Sequence, residues 1–256
     1  MDRKLIFFDV DGTLVGFKDG IAVIAESTVE AIAKLHEKGH LTALATGRSL
    51  IMSANIMKKT GIRNAVLHTG ARIIVDGRSV YEKMIGPRIT KILCAELIKT
   101  KTSLFAFDGE RVYGENLTSE MISYINAELD GADTIRPFDE IRGRVFSMNA
   151  YSDRETVKSL IDAHPSLSES NDYTEIMACG VSKGLGIRRA AQLLGISMRD
   201  TIAFGDGHND ADMFRVAGTA IAVGNAVDHL KSLAHHVTDD IYNDGIRNIL
   251  ISLKLI

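Results

Sequence analysis

The sequence predicts an α/β protein in which the two ends of the chain build one parallel sheet and the middle is inserted as an α+β segment. Three observations carry this. Apolar runs of strand length alternate with helical patterns near both ends. In the middle the rhythm changes to adjacent strand-like runs split by Asp-Gly. The strands of the two ends also finish in acidic or hydroxyl-bearing turns: Asp9-Val10-Asp11-Gly12-Thr13, Thr46-Gly47-Arg48 and Gly205-Asp206-Gly207-His208-Asn209-Asp210.

The elements follow in order. Leu5–Phe8 is continuous and apolar, the pattern of a buried strand. Ser27-Thr28-Val29-Glu30 reads as a capping box with Ser27 as N-cap, opening a helix with Val29, Ile32, Ala33 and Leu35 on one face and ending at Gly39. Leu41–Ala45 is a second strand, residues 50–59 a helix stopped by Gly61, and residues 65–67 a short strand. Asp76-Gly77 marks a β-hairpin. Pro87 sits at the first turn of a helix through Lys99. Residues 103–107 and 111–113 read as strands, 119–129 as a helix, 145–150 as a strand, 155–163 as a helix, and 166–170 with 174–177 as paired strands. Beyond Gly180, helices at 183–194, 210–216 and 227–233 alternate with strands at 201–204 and 219–223, and the tail from Ile241 is mostly helical.

The chain has 256 residues, enough for one large domain or two modest ones. A formal net charge of −3 gives no reason to expect nucleic acid or an anionic membrane as partner. Neither a leader pattern nor an apolar stretch of membrane-spanning length is present, so a cytoplasmic protein is expected. Cys94 and Cys179 lie far apart, outside any metal-ligand spacing, and are expected to be buried free thiols.

In a parallel α/β sheet, ligands bind outside the carboxyl ends of the strands, so the strand endings are where chemistry is sought. Asp9, Asp11 and Asp206 would converge there. Carboxylates brought together repel unless a cation neutralises them, and an all-oxygen cluster suits Mg²⁺. A carboxylate can attack phosphorus to give an aspartyl phosphate, and a second carboxyl can protonate the leaving alcohol and then activate water. Thr46 and the amides after it can hold phosphate oxygens. Lys183, at the start of a helix, supplies positive charge for them. Taken singly, Asp-x-Asp-Gly is more often a calcium-like loop or a turn than a nucleophile, and Ala-Thr-Gly-Arg or Ser-Lys-Gly carries little. His208 reads as a surface loop histidine. The order of these segments and their placement at strand ends is what makes them informative together.

In these motifs and their order, the chain resembles the haloacid dehalogenase-like hydrolases, and within them the Cof-type phosphatases. The motifs are DVDGTL at residues 9–14, ATGR at 45–48, GVSKG at 180–184 and GDGHND at 205–210. The resemblance covers essentially the whole chain. It implies a Rossmann-like parallel-sheet core with helices on both faces, at residues 1–83 and 181–256, and an inserted α/β cap at 84–180. It also implies roles. Asp9 would be nucleophile and Mg²⁺ ligand, and Asp11 the general acid and base with its backbone carbonyl on the metal. Asp206 would be a further Mg²⁺ ligand. Val10, Thr46, Gly47, Lys183 and Asn209 would bind the phosphoryl group, and Asp210 would orient Lys183 or a nearby water. Where many relatives carry Asn-Gly-Ala, this chain has Thr69-Gly70-Ala71, which leaves open whether Thr69 meets substrate. The segment at 15–26 either forms a flap hairpin beside the site or packs under the cap.

The expected partner is a small phosphorylated metabolite, with sugar phosphates and phosphorylated cofactors both open, and the expected assembly is a monomer or small homo-oligomer. Candidates for substrate choice lie in the inserted segment, at Arg88, Asp108, Glu110, Arg111, Asn149 and Glu175. The pair Arg142 and Arg144 stands first among them, because a positive loop would suit a second anionic group. The alternatives are a phosphomutase that returns the aspartyl phosphate to a sugar, and a non-catalytic ligand-binding protein. An intact Asp9, Asp11, Lys183 and Asp206 argues against the last.

Overall fold

The computed structural model describes residues 3–18, 21–129, 135–151, 154–164, 167–169 and 174–256. In chain order it begins with β1 (Leu5–Phe8), the hairpin strands β2 (Gly16–Lys18) and β3 (Ile21–Val23), α1 (Glu26–Glu37) and β4 (Leu41–Ala45). Then come α2 (Leu50–Thr60), β5 (Asn64–Leu67), β6 (Arg72–Val75) and β7 (Arg78–Glu82). The middle holds α3 (Pro87–Lys99), β8 (Ser103–Phe107), β9 (Val112–Glu115), α4 (Ser119–Glu128), β10 (Arg136–Pro137), β11 (Ser147–Tyr151), α5 (Arg154–Asp162), β12 (Leu167–Glu169) and β13 (Thr174–Ala178). The chain closes with α6 (Lys183–Leu193), β14 (Thr201–Gly205), α7 (Ala211–Val216), β15 (Thr219–Ala222), α8 (Asp228–Leu233), β16 (His236–Val237) and α9 (Gly245–Ser252). No helix among the described residues is long and apolar enough to cross a membrane.

The chain divides into two compact units. The first comprises Met1–Gly47, Asn55–Tyr81 and Ser182–Ile256. Its eight-stranded sheet runs in the order β16-β15-β14-β1-β4-β5-β6-β7. From β16 to β5 neighbouring strands are parallel; β6 joins antiparallel. β1 lies between β14 and β4 and is fully buried on both faces, which explains its unbroken apolar run. Burying side chains such as Phe7 and Phe8 is worth about 1.5–3 kcal/mol each. Phe8 and Phe204 are register partners whose rings stack 5.0 Å apart, locking the carboxyl ends of β1 and β14 side by side. The Asp76-Gly77 turn between β6 and β7 has positive φ at both residues, as a tight hairpin turn demands.

The second unit comprises Arg48–Ala54 and Glu82–Val181. Its sheet runs β10-β9-β8-β11-β13-β12, and every neighbouring pair but the short β10–β9 contact is antiparallel. Phe105, Phe107 and Val112 on one sheet face pack with Ile125 and Leu129 from the α4 segment and with Met52. This is the α+β character expected from adjacent hairpins.

Several local expectations change. α1 starts at Glu26 with Ala25 as N-cap, so Ser27 falls inside the first turn and caps nothing; its hydroxyl donates to Asp244 Oδ1 at 2.5 Å instead. The buried face of α1 is Thr28, Ala31, Ile32 and Leu35, and Ala33 is exposed. Cys94 is buried, but Cys179 is exposed because it follows β13 where the chain turns at Gly180. The segment at 15–26 forms the β2–β3 hairpin, with its tip at residues 19–20 outside the described residues, as are Ser166 and Ser170 at the ends of the strand expected there. β10 and β16, at two residues each, are too short to leave a periodic signal.

The turn joining β5 to β6 buries His68 completely, at φ 48°. Burial, helped by Arg72, pushes its imidazole from the usual 6.5 down to about 3. The unfolded chain therefore takes up this proton first as the pH falls. The associated stability is whole above about pH 6.5 and is lost progressively toward pH 3, at about 1.4 kcal/mol per pH unit. His68→Asn, a residue that tolerates positive φ, is expected to lose about 2 kcal/mol less than the parent between pH 7 and pH 5 in urea melts. Parallel pH profiles for the two proteins would contradict this.

Candidate active site

Three neighbouring parallel strands deliver the site. Asp9 directly follows β1, Thr46 follows β4 and Asp206 follows β14, all at the carboxyl ends of these strands. The Asp9 N–H donates to Phe204 O at 3.0 Å, extending the ladder up to the carboxylate. The Thr46 N–H is held by Val66 O at 2.9 Å, and Thr46 O accepts from Thr69 N at 3.0 Å.

Lys183 is the first residue of α6, whose N-cap Ser182 accepts from Leu185 N at 3.2 Å. The Lys183 side chain is 1% exposed. Its Nζ donates to Asp9 Oδ1 at 2.6 Å and to Asp210 Oδ1 at 2.7 Å. Asp210, also fully buried, accepts on its other oxygen from the amides of Asp206 at 3.0 Å and Gly207 at 3.1 Å. One carboxylate thus fixes both the ammonium and the turn that presents Asp206. Asp206 Oδ1 in turn accepts from the Thr13 hydroxyl at 2.9 Å.

Ligand oxygens of Asp9, Asp206 and Asp210 lie within 4.8 Å of one another. Burial first, then Asp210, outweighs Lys183 and holds the Asp9 carboxyl well above its usual range. Burial and Asp210 push Asp206 up to about 6. Burial pulls Lys183 down, but Asp210 and Asp9 more than offset it, so the ammonium stays charged. When ionised, three carboxylates against one ammonium leave a surplus of two negative charges, which a divalent cation would cancel. The donors are hard oxygens, so the residues fit Mg²⁺.

Gly12 keeps the approach open. It has φ +76°, and a Cβ there would lie 2.2 Å from Asp206 Oδ2. The Asp9–Val15 turn closes on itself, with Val10 O accepting from Leu14 N at 3.0 Å and Val15 N at 2.8 Å. Asp11 is exposed on this turn, and its side chain stands outside the group of three carboxylates. Thr46 is buried, Gly47 exposed and Asn209 half-buried in the short helical turn His208–Asp210. Thr69, at φ 54°, is buried beside Gly47. His208 is exposed and its ring stacks on that of His229. Arg142 and Arg144 are exposed in the second unit, and Arg142 Nη1 donates to the carbonyl of Asp139.

Sequence reasoning missed four contacts. Asp212 Oδ2 accepts from Gly184 N at 2.7 Å, tying α7 to the first turn of α6. Asn225 Nδ2 donates to Gly12 O at 2.7 Å. Tyr242 bonds the backbone of Phe17. The fourth is the Thr13 hydroxyl on Asp206. Thr13, Gly12 and Gly184 lie inside the motifs, but Asp212, Asn225 and Tyr242 carried no signal.

Over residues 6–250 the chain matches the family described as haloacid dehalogenase-like hydrolase. The chain belongs to the haloacid dehalogenase-like hydrolases. Its Cof-type resemblance is borne out, and it is an enzyme of the hydrolase class. It is 29% identical to the Bacillus subtilis protein YkrA, with 100% of each chain covered. It is 26% identical to the 5-amino-6-(5-phospho-D-ribitylamino)uracil phosphatase YcsE of the same organism, covering 96% of this chain and 94% of that one. Among solved structures it resembles the haloacid dehalogenase subclass IIB sugar phosphatase BT4131, at 27% identity and a TM-score of 0.85, over 99% of this chain and 100% of that one.

Removing the ammonium tests its electrostatic part. Lys183→Met strands buried carboxyls and is expected to cost about 3–5 kcal/mol at neutral pH. Lys183 lowers the carboxyls of Asp9 and Asp206, so without it both rise further than in the parent and the folded variant binds these protons at higher pH. The stability gap to the parent should therefore narrow from pH 7.5 to pH 5 in urea melts. A variant as stable as the parent at pH 7.5 would show that the ammonium is not what holds the carboxyls there.

Proposed function

We propose that this hydrolase is a cytoplasmic, Mg²⁺-dependent phosphatase that removes phosphate from monoesters of small metabolites through an aspartyl phosphate on Asp9. Its hydrolase family and its phosphatase relatives make it a hydrolase of phosphate esters. The observation that carries the finer reading is the Lys183 ammonium held between Asp9 and Asp210 at the carboxyl end of β1. In this reading residues 1–83 and 181–256 are the catalytic domain, and 84–180 are inserted into it.

Thr46, Gly47, Lys183, Asn209 and the Val10 backbone would hold the phosphoryl oxygens. Asp9 attacks phosphorus, and the bond from phosphorus to the ester oxygen breaks as Asp11 gives that oxygen its proton. The alcohol leaves. Water then attacks the same phosphorus, passing a proton to Asp11 as the bond to Asp9 breaks, and inorganic phosphate departs. Each cycle returns Asp11 protonated and Asp9 as a carboxylate. Lys183 stabilises the charge spread over the equatorial oxygens in both steps, and it is fixed in place before reaction. Asp9, Asp206 and the backbone carbonyl of Asp11 would hold Mg²⁺, which supplies the positive charge that keeps Asp9 ionised.

The relatives bracket the substrate. One is named for a phosphoribityl pyrimidine and one structural neighbour for sugar phosphates. We extend to this chain their shared chemistry, a phosphate on a small polyhydroxylated metabolite. The test is a panel of such esters assayed for continuous phosphate release with Mg²⁺ and with a strong chelator, using Asp9→Asn as the control. The parent is expected to turn over at least one ester only with the metal. The folded Asp9→Asn variant should release none, since an amide is a poor nucleophile. Turnover by Asp9→Asn, or release that a chelator leaves untouched, would overturn the mechanism.

A further inference from the structure

The turn that carries Asp11 runs straight into the β2–β3 hairpin. Gly12 N donates to Val15 O at 2.9 Å, Asp11 and Val15 form an isolated bridge, and β2 starts at the next residue. A two-stranded hairpin of three-residue strands is too small to hold itself in place. What holds it comes from the far end of the chain.

Phe17 is paired with Ala22 across the hairpin, and its own N–H and C=O face outward, where a bare strand edge would leave them. Both are taken by one hydroxyl. Tyr242 Oη accepts from Phe17 N at 2.8 Å and donates to Phe17 O at 3.0 Å, standing in for a third strand. The Tyr242 ring can approach because residue 16 is glycine. A Cβ at Gly16 would sit 2.7 Å from the Tyr242 oxygen and 2.8 Å from a ring carbon.

Tyr242 belongs to the short helical turn Ile241–Asn243, and the same turn reaches the segment after Asp11 at two further points. Asp244, just behind it, accepts from Ser27 Oγ at 2.5 Å. Ile241 N donates to Asn225 Oδ1 at 3.4 Å, and the other arm of that amide donates to Gly12 O at 2.7 Å. The turn is itself pinned: Tyr242 N is capped by Asp240 Oδ1 at 2.9 Å, and Gly224 N bonds Asp239 O at 3.0 Å. One rigid turn therefore grips the stretch from Gly12 to Ser27 at its start, its middle and its end. Tyr242 is 61% exposed, so its ring buries little; its contribution is the pair of bonds.

We propose that Tyr242, with Asn225 behind it, is a positioning residue for Asp11: the turn fixes the hairpin, and the hairpin fixes the loop that aims the acid at the leaving oxygen. This rests on the reading of Asp11 as the group that trades the proton.

That role has a signature that loss of fold lacks. Protonation matters for an alkyl phosphate, whose alkoxide leaves poorly, and hardly at all for p-nitrophenyl phosphate, whose phenolate leaves unaided. The quantity to read is kcat/KM, which reports the step in which the leaving group departs. Tyr242→Phe keeps the ring and removes both bonds. It is expected to lose about tenfold on an alkyl phosphate, the scale of a modest misplacement, and less than about twofold on the nitrophenyl ester. Gly16→Ala, which pushes the ring away, should reproduce this selectivity. Asp11→Asn should show the same selectivity more strongly, and adding Tyr242→Phe to it should cost nothing further on the alkyl ester. Equal losses on both esters, no loss on either, or full additivity with Asp11→Asn would overturn the assignment of Tyr242. An Asp11→Asn variant without leaving-group selectivity would overturn the acid–base reading itself and the proposal with it, and the single Asp11 variant tells that failure apart.

Discussion

A buried ammonium between two buried carboxylates is the constraint on which this molecule turns. Lys183 is almost wholly out of water, and such a charge is tolerated only when its partners are fixed and fully hydrogen-bonded. Asp210 meets that condition with both oxygens, one on Lys183 and one on the Asp206 and Gly207 amides. Asp9 takes the ammonium on one oxygen, and its backbone is bonded to β14. The arrangement remains short of positive charge, as the raised carboxyls of Asp9 and Asp206 record. The same shortage that would destabilise an ordinary core would suit a divalent cation here.

The fold serves this constraint by placing charge where the sheet can bear it. β1, the source of Asp9, is an interior strand with no exposed edge, so the nucleophile candidate cannot swing. The next strand on one side brings Asp206 and on the other Thr46. α6 enters with Lys183 at its first turn, and Asp212 from α7 holds that turn through Gly184 N. Asp11 differs: it rides a surface turn and owes its position to contacts made by residues far down the chain.

Much of this was legible in the sequence, for reasons that are local. The apolar run of β1 and its acidic ending sit within ten residues, and the Asp76-Gly77 turn and the Pro87 helix start are each set by one or two residues' backbone preferences. What was not legible is long-range. Thr13 and Asp206 are 193 residues apart, Asn225 and Gly12 are 213 apart, and Tyr242 and Phe17 are 225 apart. No local pattern marks a hydroxyl or an amide that finds its partner only after the sheet has formed. The Ser27 cap failed because the helix starts earlier, at Glu26 with Ala25 as its N-cap, and the Ser27 hydroxyl donates instead to Asp244, 217 residues away.

The account stands on covalent chemistry at Asp9, and that can be weighed directly. The parent enzyme, mixed with a metabolite phosphate that it turns over in Mg²⁺ and quenched in acid within one cycle, is digested and its peptides are measured by mass spectrometry. The account predicts the added mass of one phosphoryl group on the peptide carrying Asp9, gone when the quench is delayed until substrate is exhausted. A peptide that stays unmodified throughout rapid turnover, or a phosphoryl group on any other residue, would contradict it.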